Sequence, residues 1–417
     1  IMPDLRDLNR LDLLDTPSDS LPHTVDVRHI NNRRGRHNIP NIGLFLWRLQ
    51  NYPLLNVTPR QALAPHAYGY HFSAIGNPAP LFNEPAEPGS PDEQLVPAPI
   101  RPLDFYFDLK HYQDEFATAS NPPDDSRYYG PERSLQIVKD GIPVPPKDVM
   151  CKNLSDWDRP PAGKVAVDVE RGRITFATDE EPVDDITVSY NYGFSADIGG
   201  GPYDRRERMA EITPNITEFQ VGAGKTYATL SAALSDWNAQ QKPPAIIRVY
   251  DSATYDANLT ISLPENGMLV IDCENGERPT LVNAGPLKVT SAATSAEETA
   301  AFTLNGLLIE GSLELSGKII LTIGDCTLIP GRALDEDGYP EHPDQASIVV
   351  SGTDVTDTTL SISRAILGPL QLPAECQALT VSDSIVDAPL AKDADDPARA
   401  AIAADADATL AGPGTTL

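Results

Sequence analysis

The chain has 417 residues, more than one ordinary hydrophobic core accommodates, so two or three domains are expected. It carries 60 acidic against 32 basic residues, a net charge of −28, which disfavours nucleic-acid backbones and anionic membrane surfaces as partners. Its four cysteines (Cys151, Cys273, Cys326 and Cys376) have no C-x-x-C spacing and argue against structural zinc. No stretch of 18 apolar residues is present to span a bilayer, and the acidic start IMPDLRDLNRLDLLDTP lacks the basic and apolar regions of a signal peptide. Synthesis in a reducing cytoplasm is therefore expected.

Residues 1–125 read as a Pro-rich, extended or irregular docking region, because 23 of the 39 prolines fall at or before Pro161. Proline removes an amide donor and fixes φ, which makes long helices and central strands unfavourable there. The apolar run from Ile42 to Leu49 is a short buried strand or a helical turn, and 77–102 reads as an extended arm. From 126 to 198 the pattern becomes alternating strands. Leu135–Val138 meets the Asp140-Gly141 turn and returns through Ile142–Val144. Lys164–Val169 turns at Glu170–Gly172 into Arg173–Phe176, and Ile186–Tyr192 alternates again. Period two with glycine turns predicts a small antiparallel β-domain. Residues 199–218, opening with Gly199-Gly200-Gly201, read as a hinge or linker.

An internal repeat governs 219–417. Phe302-Thr303-Leu304-Asn305, Leu321-Thr322-Ile323-Gly324, Leu360-Ser361-Ile362-Ser363 and Leu379-Thr380-Val381-Ser382 share one template, with starts 19, 39 and 19 residues apart. The middle spacing is close to two periods and includes a polar insertion over 331–345. Short strands recurring about every 19 or 20 residues without intervening helices predict a right-handed parallel β-helix. Earlier rungs are expected at 259–261 and 269–271, and Ser231 to Asn238 is expected to form a helix capping the open end. The overall expectation is a mainly β protein: Pro-rich region, antiparallel β-domain, parallel β-helix.

The entry VGAGKTYATLSAAL resembles the start of pectin-lyase-like β-helix domains. The segments VDVRHINNRRGRHNIPNIGLFLWRL (25–49), RYYGPERSLQIVKDG (127–141) and YNYGFSADIGGGPYDRR (190–206) resemble a family of phage-tail-type proteins of contractile injection systems. That resemblance implies a longer native protein and a baseplate, fibre or particle-surface role among other tail subunits in multiple copies. It supplies no catalytic residues.

Several residue groups suggest sites. Gly222-Ala223-Gly224-Lys225-Thr226 invites a phosphate-loop reading, but Phe219 stands where the first glycine is required. Asp325, Arg364 and Asp383 share one offset in the repeats, with Gly306 in the fourth. Such a column on an outer face binds or cleaves surface polysaccharide in a carbohydrate-active β-helix or a non-catalytic adhesin. The plainer expectation is a solvated ladder whose Arg neutralises its acidic neighbours. Asp272, Glu274 and Glu277 suggest calcium, though a charged turn explains them as well. Arg28, Arg33, Arg34 and Arg36 (with His29 and His37), followed by Phe45 and Trp47, form a basic–apolar segment suited to docking on an acidic surface of this chain or of a neighbouring subunit. His66 and His71 lack further ligands at metal spacing and read as aromatic packing onto a partner. No Ser-His-Asp or Cys-His arrangement is legible, and neither a cofactor nor a metal is called for.

Overall fold

A computed structural model describes residues 49–84, 96–116, 118–183, 185–256, 258–282, 285–331, 342, 345–352, 354–388, 401–403 and 415–416. By internal contacts the chain separates into one unit of residues 1–48 and 85–96 and another of 49–84 with 97–417. The second unit is mainly β, with few helices and three long parallel sheets, an arrangement compatible with the expected β-helix.

The β-domain packs two sheets around one core. Strands β1 (Gln50–Val57), β2 (Arg60–Gln61) and β3 (Gly69–His71) come from the Pro-rich region. They join β4 (Leu135–Lys139), β5 (Ile142–Pro143), β6 (Val149–Cys151), β7 (Val165–Asp168), β8 (Arg173–Phe176) and β9 (Ile186–Phe194). One sheet has the order β1-β9-β4-β5 and is antiparallel; the other is β2-β3-β8-β7-β6, antiparallel except for the parallel β6–β7 pair. Leu54, Phe72, Leu135, Ile137, Val167 and Phe176 are buried between them. The stretch from Gln50 to His71, expected to be irregular from its composition, thus supplies three strands, and the domain reaches well before residue 126. A helix, α1 (Pro102–Phe116), also stands where none was expected. Its first residue is proline, whose missing amide is an orphan at that position in any helix, and the next proline is Pro122. Phe105, Leu109 and Tyr112, at helical spacing, bury its inner face.

Beyond residue 216 the chain visits three parallel sheets in rotation. The first contains Thr217–Val221, Ala245–Val249, Met268–Cys273, Ala300–Asn305, Ile319–Gly324, Thr359–Ser363, Ala378–Ser382 and Thr415–Thr416. The second runs from Thr254–Asp256 to Ile385–Val386 and the third from Thr260–Leu263 to Ile402–Ala403, six strands each. Register matches the sequence template: Phe302 pairs with Leu321, Leu321 with Leu360, Leu360 with Leu379. Alternate side chains point inward, so Leu269, Phe302, Leu321, Leu360 and Leu379 form one buried apolar column. Each such side chain stabilises the fold by roughly 1.5–3 kcal/mol.

Two details differ from the periodicity. The 39-residue spacing is one enlarged turn and not two, since Leu321 pairs directly with Leu360. The segments at 259–261 and 269–271 belong to the third and first sheets, not to successive rungs of one sheet. Both differences have one cause: turn length is free to vary at corners, whereas only the strands must stack.

Helix α2 (Leu230–Ala239) closes the beginning of the stack as expected. Thr229 caps it, its Oγ1 accepting from the Ala232 amide at 3.2 Å, and Leu230, Ala233, Leu234 and Trp237 bury against the first strands.

Candidate functional site: a buried charged seam

The second sheet faces the β-domain. Thr58 Oγ1 accepts from the Thr254 amide at 3.3 Å, Arg60 pairs with Glu310 at 3.0 Å, and the Arg278 guanidinium lies 5.3 Å from the Tyr192 ring centre. Residues 199–211 run along the corner between the first and second sheets. The Gly199 amide donates to the Arg364 carbonyl at 2.8 Å and the Gly200 amide to Thr327 Oγ1 at 2.9 Å. A Cβ on Gly200 would lie 2.6 Å from the Leu307 carbonyl, so glycine is needed for this approach. The expected hinge is instead a strap packed against the stack.

Three strap residues carry the attachment. Arg205 is 0% exposed; its Nη2 donates to Cys273 Sγ at 2.7 Å and to the Glu274 and Glu277 carbonyls at 3.0 Å. Arg208 Nε donates to Asp325 Oδ2 at 2.9 Å. The Ala210 amide donates to Asp272 Oδ2 at 2.9 Å, and its carbonyl accepts from Arg248 Nη2 at 2.5 Å. Asn305 joins the two halves, donating to Asp272 Oδ1 and to the Arg208 carbonyl, each at 3.0 Å. Of these buried groups the Asp272 and Asp325 carboxylates are paired with Arg248 and Arg208, while the Arg205 guanidinium is held by a thiol and two carbonyls.

The predicted column at 306, 325, 364 and 383 is real but differs in kind. All four residues adopt left-handed backbone, with φ of 75°, 50°, 47° and 47°. They are the first residue of the two-residue corner between the first and second sheets, a position that favours Gly, Asn and Asp. Asp325 is 0% exposed, not on an outer face: besides Arg208 it accepts from Arg364 Nε at 2.9 Å and from the Tyr203 hydroxyl at 3.4 Å. Arg364 is half-buried, and only Asp383 is exposed. The ion pair between Asp325 and Arg364 links adjacent turns, so the neutralising role foreseen for the Arg is correct while the solvated setting is not.

Asp272 is fully buried in a strand, not placed in a charged turn, and burial raises its carboxyl above the ordinary range despite the Ala210 amide and Arg248. Glu277, whose proton affinity burial also raises, accepts from Ser252 Oγ at 2.5 Å. Among the described residues no group of three His, Cys, Asp or Glu is arranged to hold a metal ion. Burial pushes the Cys273 thiol up to about 12, with the Arg205 guanidinium acting in the opposite direction.

Gly222–Thr226 binds a side chain of its own fold: the Ala223 amide donates to Asp251 Oδ2 at 2.8 Å, and Lys225 lies 3.9 Å from the Tyr250 ring centre. His66 and His71 pack on Trp157 within the β-domain, at ring separations of 6.2 and 4.9 Å. Arg28, Arg33, Arg34, Arg36, Phe45 and Trp47 lie outside the described residues.

Sequence reasoning missed Arg205, Arg208 and Arg248. A signal existed for each. Arg205-Arg206-Glu207-Arg208 is a dense basic run in an acidic chain, and Arg248 interrupts the apolar strand Ala245–Val249 at the position opposite Asp272. Comparison with family models, curated proteins and solved structures returns no match.

Proposed function

We propose that this chain is a structural and binding subunit of a phage-tail-like contractile particle, and that its three-sheet region is a right-handed parallel β-helix presented outward from the particle. The observation that carries the proposal is the seam. Two full-sized β structures are joined through a glycine strap held by the Arg205–Cys273 and Ala210–Asp272 hydrogen bonds and the Arg208–Asp325 ion pair, which suits a rigid projecting part better than a flexibly tethered module. The segment around Arg28, Arg33, Arg34, Arg36, Phe45 and Trp47 is proposed to dock on neighbouring subunits, in keeping with its basic and aromatic character in an otherwise acidic chain. Mass spectrometry of purified intact particles from the source cells tests this. The chain should co-purify with sheath and tube proteins at constant stoichiometry, and its absence from contractile particles would remove the proposal.

A second reading, glycan binding without cleavage, is favoured by one observation. Thr303, Thr322, Ser361 and Thr380 pair in register on the outward face of the first sheet, giving one hydroxyl per turn at roughly 4.8 Å spacing. A cleaving version is weakened because the Asp325 carboxylate is already engaged by Arg208, Arg364 and Tyr203. Saturable binding on a glycan array without release of new reducing ends would support the adhesin reading.

A further inference from the structure

At the edge of the β-domain formed by β5, a cavity of about 270 Å³ opens between the two sheets. Its inner surface is apolar: Val144 and Val165 are buried at its base, and Ile142 stands at its mouth, 69% exposed. Val183, whose amide donates to Asp140 beside the cavity, is 85% exposed. Large aliphatic side chains this exposed around a concave surface mark a contact site more strongly than the same residues scattered singly. The volume is below the ~300–1,000 Å³ of ordinary small-molecule pockets and suits a single large side chain.

The rim specifies the charge of the partner. Lys139 is paired with Glu180, and Lys164 with Asp148 at 3.4 Å, so both nearby ammonium groups are neutralised. Asp179 and Asp185 are exposed close by and make this rim acidic; Asp179 accepts from the Gly163 amide at 3.3 Å, and the Asp185 amide donates to Asp140 at 3.3 Å. A second copy presenting its own acidic surface, on a chain of net charge −28, is repelled. Pro143 and Pro145 line the wall. They remove amide donors from this edge, so added-strand pairing is disfavoured and recognition must come through side chains. They also hold the wall rigid, which lowers the ordering cost of binding.

We propose that this cavity is a docking socket for a partner polypeptide that inserts one aromatic or branched aliphatic side chain flanked by Arg or Lys. The inference stands independently of the particle assignment. The test uses the full chain and a fluorescein-labelled synthetic peptide, Arg-Arg-Gly-Trp-Gly-Arg-Arg, followed by fluorescence anisotropy. Saturable binding is expected, weakened at least tenfold by Ile142→Arg and unchanged by Leu63→Ser, an exposed position elsewhere on the domain. Circular dichroism checks that both variants fold. Equal affinity for a peptide with glycine in place of tryptophan would mean adsorption by charge alone and would overturn the proposal. So would undiminished binding to Ile142→Arg. Sedimentation showing a dimer that Ile142→Arg dissociates would assign the socket to a second copy and equally overturn it.

Discussion

Asp325 is the residue whose replacement most directly tests the seam. Its buried carboxylate holds Arg208 of the strap and Arg364 of the next turn, both at 2.9 Å, from a left-handed backbone position. Asp325→Asn keeps the shape and tolerates that backbone but removes the negative charge and leaves one acceptor oxygen for two arginines, so one hydrogen bond survives and the other is lost to the amide NH2, a loss of about 2 kcal/mol. Asp325→Gly removes both acceptors, which for a buried ion pair costs about 3–5 kcal/mol. The lower end applies because Arg208 and Arg364 keep about 30% of their side-chain surface in water, where they rehydrate. Asp325→Ala adds the cost of left-handed backbone for a residue with a Cβ, ~1 kcal/mol more than glycine. The expected order of damage is therefore Asn, Gly, Ala, at about 2, 3 and 4 kcal/mol. Amide hydrogen exchange read by mass spectrometry over residues 199–210 is the appropriate assay, because it reports local release of the strap without assuming two-state unfolding. At 1.4 kcal/mol per tenfold change, Asp325→Asn should speed exchange there by about 30-fold while leaving α2 protected. If strap exchange stays unchanged in the Asn variant, or Gly and Ala behave alike, the assigned roles of ion pair and backbone are wrong.

The same geometry gives three further outcomes. A Cβ on Gly306 would lie 1.6 Å from Arg205 Nη1, whereas one on Gly276, also at positive φ, meets nothing within 4 Å. Gly306→Ala should therefore cost about 4 kcal/mol and Gly276→Ala about 1 kcal/mol, read from urea midpoints; equal losses would refute the close packing of Arg205. Burial raises the thiols of Cys151 and Cys376 to about 11 and that of Cys273 to about 12. At pH 8 the native chain should react with a thiol-specific disulfide reagent about 100-fold more slowly than the denatured chain; a fast native phase would contradict this. The Asp272 carboxyl, raised by burial, holds its proton more tightly folded than unfolded. Its contribution to stability is greatest at acid pH and falls as the pH rises above the ordinary carboxylate range. The stability of Asp272→Asn relative to the native chain should accordingly increase from pH 4 to pH 7, and a flat or reversed trend would show that Arg248 dominates instead.

The parallel stacking was legible because inward columns impose one residue pattern on every turn. Leu321, Leu360 and Leu379 recur with a hydroxyl residue beside them wherever a strand of the first sheet passes. The cap helix was legible from Thr229 and the apolar spacing of Leu230, Ala233, Leu234 and Trp237, which are local properties. The β4–β5 hairpin was legible from its Asp-Gly turn, where both residues take positive φ.

Other features depended on distant pairing. Strands β1 to β3 come from Pro-rich sequence because Pro53 lies on an edge strand, where a missing amide breaks no bond to a further neighbour; composition averaged over the region hid this. Pairing of Leu321 with Leu360 decided that a 39-residue interval is a single turn. The strap was read as a hinge because three glycines have the same sequence whether they give mobility or close approach, and only the Leu307 carbonyl beside Gly200 distinguishes the two. By itself the sequence determined local chemistry: which positions favour a strand, a corner or a helix start. The tertiary structure decided which charges are buried, since Arg205 and Asp325 become enclosed only when residues far apart in the chain are brought together around them.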